Sequence, residues 1–169
     1  MAVKSPISLL LVILLLRPLP LPAESNIENA LSAAVNDNVA MERVQITFEE
    51  GREQLDGATR LTLLGDGTVT VVTTRRGRSQ SVESQVTAGT LERLLTAMRE
   101  DRFWSVTPTG SRRVRDESVL RITLDIPGES PAKAQLVIGE NEARTREELR
   151  TTILLLREIA RQSAVQSAP

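Results

Sequence analysis

The stretch TRLTLLGDGTVTVVTT, residues 59–74, decides the fold of this chain. Aliphatic residues alternate with threonines on both sides of Gly65–Gly67, which is the period of two strands that each bury one face. A three-residue loop with Gly67 in the left-handed conformation pairs Leu63 with Val69 and gathers the aliphatic residues on one face. A two-residue turn would instead mix polar and apolar side chains on both faces. The sequence therefore predicts a hairpin in the first register.

The same reasoning assigns elements to the rest of the chain. The residues over 79–86 are polar, with only Val82 and Val86 to bury, and are predicted to form an edge strand. Ser25 with Glu28 and Thr145 with Glu148 have the spacing of helix-capping boxes. The predicted elements are a helix over 26–40, a strand over 44–48, an acidic loop over 49–57, the hairpin, the edge strand, a helix after Thr87, a polar loop over 105–117, a hairpin over 120–138 and a last helix after Thr145.

Every predicted strand is amphipathic at period two, which is typical of an antiparallel sheet covered on one side. A parallel sheet would need strands that are apolar on both faces. The predicted fold class is therefore α+β, with a mainly antiparallel sheet of about six strands and helices packed on one face.

The N-terminus has the pattern of an export signal. Lys4 precedes an apolar run from Ile7 to Leu16, and prolines then lead to Ala23. A membrane anchor is the alternative, but the run is about ten residues long, where a spanning helix needs roughly 20. The predicted organisation is a signal peptide over 1–23, an N-terminal helical segment over 24–41, a single α+β domain over 42–162 and a disordered tail over 163–169. The expected location is secreted or periplasmic, without stable membrane insertion after the signal is removed.

Composition excludes several classes of function. The chain has no cysteine, histidine or tyrosine, so it has no disulfide, thiol nucleophile, serine–histidine triad or conventional zinc site. The signal takes Lys4 and Arg17 but no acidic residue, so the net charge falls from −1 to −3. That charge implies no general affinity for nucleic acid. Phe48, Phe103 and Trp104 are the only aromatic residues, which leaves few stacking platforms for single strands.

The remaining catalytic options are weak. A Ser/Lys mechanism would rest on Lys133, which lies near a proline-containing turn where a solvated lysine is the usual role. The adjacent carboxylates fall in predicted loops or a first helical turn, where they are commonly solvated; they are Glu49-Glu50, Asp116-Glu117 and Glu147-Glu148. No loop matches a calcium-binding pattern. No catalytic residue, cofactor or metal is predicted, and the chain is expected to be non-catalytic.

Two arginine clusters are the sharpest surface feature. They are Arg75, Arg76 and Arg78, and Arg112, Arg113 and Arg115. Antiparallel strands with a returning central helix would place the loops 75–78 and 105–117 at one end of the sheet. Guanidinium groups there are suited to phosphate or carboxylate. The acidic loop over 49–57 and the loop over 139–144 would reach the same end, so the arginines could also be neutralised within the protein.

The run from Gly65 to Val69, the helix segment Leu91–Leu95 and the segment Asp101–Ser105 resemble small bacterial secreted domains of unknown function. The resemblance covers about residues 42–162. Members of this group often have a cysteine pair after the first strand, and this chain has none. The resemblance implies the fold and export, and it supplies no catalytic or binding residue.

The sequence therefore favours a small exported domain that binds another envelope protein, with the six arginines as the candidate surface. The polar edge strand is a second candidate binding surface, since it can pair with a strand of another protein. Two alternatives stay open: a small-anion-binding protein that uses the arginine-rich loops, and a carboxylate-dependent enzyme with one carboxyl pKa raised.

Overall fold

The computed structural model describes residues 23–51, 57–109, 118–128 and 131–166. These residues form one six-stranded antiparallel sheet, in the order β4-β3-β2-β1-β5-β6, and five α-helices. The strands are β1 (Gln45–Gly51), β2 (Ala58–Leu64), β3 (Thr68–Arg75), β4 (Arg78–Gln85), β5 (Val119–Ile126) and β6 (Ala132–Gly139). The helices are α1 (Ala23–Asn36), α2 (Asn38–Met41), α3 (Ala88–Asp101), α4 (Glu140–Thr145) and α5 (Arg150–Gln166). The predicted α+β class and antiparallel sheet are confirmed.

The hairpin of β2 and β3 has the predicted register. Leu63 lies opposite Val69, and Gly67 has a φ of 87°. The Gly67 N–H donates to the Leu64 carbonyl at 3.0 Å, which closes the three-residue loop. Gly65 is needed for a different reason, because a Cβ there would lie 1.9 Å from the Met41 carbonyl oxygen. The hairpin loop therefore packs directly against the end of α2.

The two faces of the sheet differ in chemistry. One face carries the aliphatic residues and Phe48, which is 1% exposed. All five described helices contribute buried residues to the same cluster, through Leu31, Met41, Leu91, Ala143 and Ile153. The opposite face carries a row of threonines on four adjacent strands, Thr70, Thr62, Thr47 and Thr123. Helices thus cover one face, and the described helices leave the threonine face open.

The edge position of the polar strand is also confirmed, because β4 is the first strand in the sheet order. The helix predicted after Thr87 is α3, and the apolar stripe on one of its faces is buried at Leu91, Leu94, Leu95 and Met98. Phe103, just past α3, is buried and meets Trp104 edge-to-face with ring centroids 5.7 Å apart. These aromatics close the core beneath α3.

The prediction of an acidic loop over 49–57 was wrong at its start. β1 continues to Gly51, so Glu49 and Glu50 are strand residues with side chains on opposite faces. Glu49 lies opposite arginines of both neighbouring strands, and Glu50 binds Arg157 of α5. Because these ion pairs neutralise both carboxylates, β1 can continue through Glu49 and Glu50. Residues 52–56 lie outside the described part of the chain.

Both predicted capping boxes were wrong. α1 begins at Ala23, so Ser25 lies inside the helix rather than before it. Thr145 ends α4, where its hydroxyl donates to the Glu142 carbonyl at 2.9 Å. The first turn of α5 is capped from a distance, because the Thr152 N–H donates to the Asp101 carboxylate at 2.8 Å. A cap supplied 51 residues away cannot be found from local spacing.

The predicted tail over 163–169 was wrong for its first four residues, since α5 runs to Gln166. Ser163 is only 2% exposed, and the Ser84 hydroxyl of β4 donates to its hydroxyl at 2.7 Å. The end of α5 is thus held against the edge strand. The signal peptide, apart from Ala23, and residues 167–169 lie outside the described residues.

Candidate functional site

Two of the segments that the sequence assigned to one end of the sheet, 49–57 and 75–78, connect strands there, and β5 begins and β6 ends at the same end. The prediction of a loop over 139–144 was wrong, because Glu140–Thr145 form α4. The strand residues at this end form one row across the sheet, Ser79, Thr74, Ala58, Gly51, Val119 and Gly139. The turn between β3 and β4 is three to four strand spacings, roughly 14–19 Å, from the start of β5. Residues 110–117, with Arg112, Arg113 and Arg115, lie outside the described residues. The structure therefore places three of the six predicted arginines.

Those three arginines surround the tight turn at the edge of the sheet. Arg75 and Arg78 lie opposite each other at the ends of β3 and β4. Arg76 and Gly77 form the turn with φ values of 49° and 71°, the left-handed pair of a type I′ hairpin. The three guanidinium side chains are exposed and form no ion pair with any described residue. Among the described residues, the turn is therefore a compact positive patch without a paired carboxylate, which we call the arginine turn (residues 75–78).

Arg76 occupies a position that disfavours its own residue type. A residue with a Cβ costs roughly 1–2 kcal/mol in the left-handed region, and asparagine or glycine is usual there. Strain of this kind persists where the surrounding structure fixes it and is concentrated at functional sites. The strain at Arg76 therefore favours a functional role for the arginine turn.

The strand that follows the arginine turn has one free edge. β4 pairs with β3 through eight consecutive residues without a bulge, and no described strand lies on its other side. The Val86 N–H donates to the Gly67 carbonyl at 2.9 Å. Because hydrogen-bonding direction alternates along an antiparallel strand, every second residue before Val86 also faces β3. The outward N–H and C=O groups therefore belong to Ser79, Ser81, Glu83 and Gln85.

The other edge of the sheet is better protected. In natural proteins, a lysine, a proline, a bulge or a short length protects an edge strand from pairing with another strand. β6 contains Lys133, 3.3 Å from Asp125, and follows Pro131. β4 has neither lysine nor proline, and its charges are Arg78 and Glu83. β4 is thus the edge more open to another strand.

A second cluster, on the open face of the sheet, was not predicted. Glu49 lies between Arg60 and Arg121, with Oε1 2.6 Å from Arg60 Nη2 and Oε2 2.8 Å from Arg121 Nη1. The three residues line a cavity of about 400 Å³ at the same end of the sheet as the arginine turn. Extending the alternation of β1 past Phe48 would have placed Glu49 on this face, in reach of polar positions on its neighbours.

The carboxylate pairs considered as catalytic candidates do not form acid–base pairs in the described residues. Glu49 and Glu50 are on opposite faces, and Glu147 and Glu148 bind Arg150 and Arg146, respectively. Asp116 and Glu117 lie outside the described residues.

Glu142 of α4, which is not one of these pairs, has a carboxylate with several hydrogen-bond partners. Its Oε1 accepts from the Thr109 N–H at 2.8 Å and from Arg146 Nη2 at 2.9 Å. The Thr109 N–H, and then Arg146, lower the pKa of Glu142 below the usual 4.5. Arg146 also donates to the Thr107 carbonyl at 3.0 Å. The network fastens residues 107–109 to α4, and the direction of the pKa shift is opposite to the one a general acid needs.

No protein-family model matches this chain, and no curated protein matches it. The resemblance to small secreted domains therefore stays a prediction. Within the described ranges, no helix combines the length and apolar character required to cross a membrane. No group of three potential metal ligands occurs among the described residues.

Proposed function

We propose that this protein is an exported, non-catalytic binding module that takes an extended segment of another envelope protein as an additional strand beside β4. The free edge of β4 carries this proposal. Strand addition needs a row of outward N–H and C=O groups on a straight edge, and Ser79, Ser81, Glu83 and Gln85 supply them over an unbroken register. Export rests on the N-terminal sequence.

The arginine turn indicates the charge of the partner segment. It lies at one end of β4, so one end of a segment added along the edge of β4 would lie beside Arg75, Arg76 and Arg78. Guanidinium groups bind carboxylates with paired hydrogen bonds. The partner segment is therefore acidic at the end that lies beside the turn, and uncharged or small along the serines of β4.

Small side chains along β4 also suit an incoming strand. Ser79 and Ser81 project onto the open face, and a hydrogen bond of 3.0 Å joins the hydroxyls of Ser79 and Thr74. Ser84, on the opposite face, is held by Ser163. These contacts hold the strand in its register before a partner arrives, which lowers the ordering cost of binding.

A capture experiment with charge reversals tests the proposal. Tagged residues 24–169 are incubated with an envelope extract, and bound proteins are quantified by mass spectrometry. Reversing Arg75 and Arg76 to glutamate should remove the specific partner. The matched control reverses Arg43 and Arg93, which are exposed, form no ion pair with a described residue and lie away from β4. Equal capture by both double variants would refute the role of the arginine turn.

A further inference from the structure

We infer that the open face of the sheet carries a site for a small monoanionic carboxylate with a short apolar body, in the cavity between Arg60 and Arg121. The cavity of about 400 Å³ lies at the lower end of the size range of small-molecule sites. Its two arginines lie on β2 and β5, away from the free edge of β4, although Ser79 of β4 lies at the border of the cavity. The site is therefore a separate binding function.

Packing of β1 against β2 creates the floor of this cavity. A Cβ at Gly51 would lie 2.6 Å from the Ala58 Cα, so the two strands approach each other too closely for a side chain there. The floor therefore consists of small residues. The next row on the same face of the sheet carries Arg60, Glu49 and Arg121, whose long side chains lie beside that floor. The difference in side-chain size between these two rows creates the cavity.

The charge of the site favours a single negative charge. Glu49 is shared by two guanidinium groups, which leaves one net positive charge in the cluster. Glu50 also lines the cavity, but Arg157 of α5 binds and neutralises its carboxylate. Each guanidinium has five N–H donors, and the described contacts of Arg60 and Arg121 with Glu49 use one from each. The side chains are 62% and 40% exposed, respectively, so donors at their guanidinium ends are accessible to a ligand, whereas Arg121 Nε is buried.

The lining also specifies an apolar part. Val72 of β3 and Val119 of β5 lie on either side of the cavity, and Ala58 contributes to its floor. A ligand with only a charged head would leave these side chains in contact with water. A carboxylate with a body of a few methylenes covers them and places its oxygens against the guanidinium groups.

Nuclear magnetic resonance titration of ¹⁵N-labelled protein tests the site with three probes: hexanoate, hexanol and acetate. Hexanoate should shift the amide signals of Gly51, Ala58 and Thr74 and saturate below about 10 mM. Hexanol lacks the charge and acetate lacks the body, so both should bind more weakly. Equal binding of hexanol and hexanoate, or shifts that do not saturate, would overturn the assignment.

Two variants with opposite expected effects separate binding from folding. Arg60→Gln makes the cluster neutral and should weaken hexanoate binding roughly tenfold or more. Glu49→Gln raises the net charge of the cluster and should strengthen it several-fold. Arg43→Gln, at the opposite end of β1, is the matched control and should leave affinity unchanged. Unchanged affinity in Arg60→Gln, or weaker binding in Glu49→Gln, would contradict the site.

Discussion

Replacing Arg76 with glycine is expected to make the protein more stable and a weaker binder. Its φ of 49° costs a residue with a Cβ roughly 1–2 kcal/mol. Glycine removes that strain, but its greater freedom in the unfolded chain offsets about 0.5–1 kcal/mol of the gain. With the middle of each range, the free energy of unfolding should rise by about 0.75 kcal/mol. For a domain of this size, Tm should rise by roughly 1–4 °C.

Arg102 provides the matched control. It ends α3 with a φ of 46°, and its Nη2 lies 3.8 Å from Glu28 Oε2 in a contact whose side chains are 55% and 52% exposed. Loss of so exposed a pair costs a few tenths of a kcal/mol at most, so Arg102→Gly should also be stabilising. Denaturant unfolding measures both variants, and capture from envelope extract measures binding. A destabilised Arg76→Gly beside a stabilised Arg102→Gly would refute the strain argument, because the Arg76 side chain would then contribute to folding.

Three further predictions concern the fold. Gly65→Ala forces a Cβ to within 1.9 Å of the Met41 carbonyl oxygen and should cost about 1–3 kcal/mol in urea unfolding; unchanged stability would mean that the hairpin loop and α2 do not touch. Phe48→Ala, at a side chain 1% exposed, should cost about 3–5 kcal/mol, and a loss below about 1 kcal/mol would contradict its central position. The lowered pKa of Glu142 adds stability that is present above 4.5 and lost as pH falls through the folded-state pKa. From neutral pH to about pH 3, the wild type should therefore lose more stability than Glu142→Gln, and parallel pH profiles would contradict the Thr109 contact.

Local patterns were sufficient to predict the sheet. The hairpin register followed from the requirement that Leu63 and Val69 share a buried face, and the observed pairing is the one that meets it. The edge position of β4 followed from its polar sequence, in which Val82 is the only apolar residue. In both cases the deciding interactions connect residues close in sequence, or depend only on which side chains avoid water.

Features that depend on distant partners were not predicted. Glu50 stays in β1 because Arg157, on α5, binds it, and α5 is capped by Asp101 from α3. The cluster of Arg60, Glu49 and Arg121 needs the order of three strands before it can be recognised. The arginine turn was predicted as a candidate surface, but its isolation from described carboxylates depends on where the acidic residues lie in the fold.

Proline substitution at Ser81 is the most direct test of strand addition beside β4. The Ser81 N–H faces outward, so Ser81→Pro removes a donor that a partner strand needs. The substitution breaks no hydrogen bond to β3. Ser81→Ala removes the hydroxyl and keeps that N–H. In capture from envelope extract, with folding of both variants verified by circular dichroism, Ser81→Ala should retain the partner and Ser81→Pro should lose it. Equal capture of the same partner by a folded Ser81→Pro variant would contradict the account.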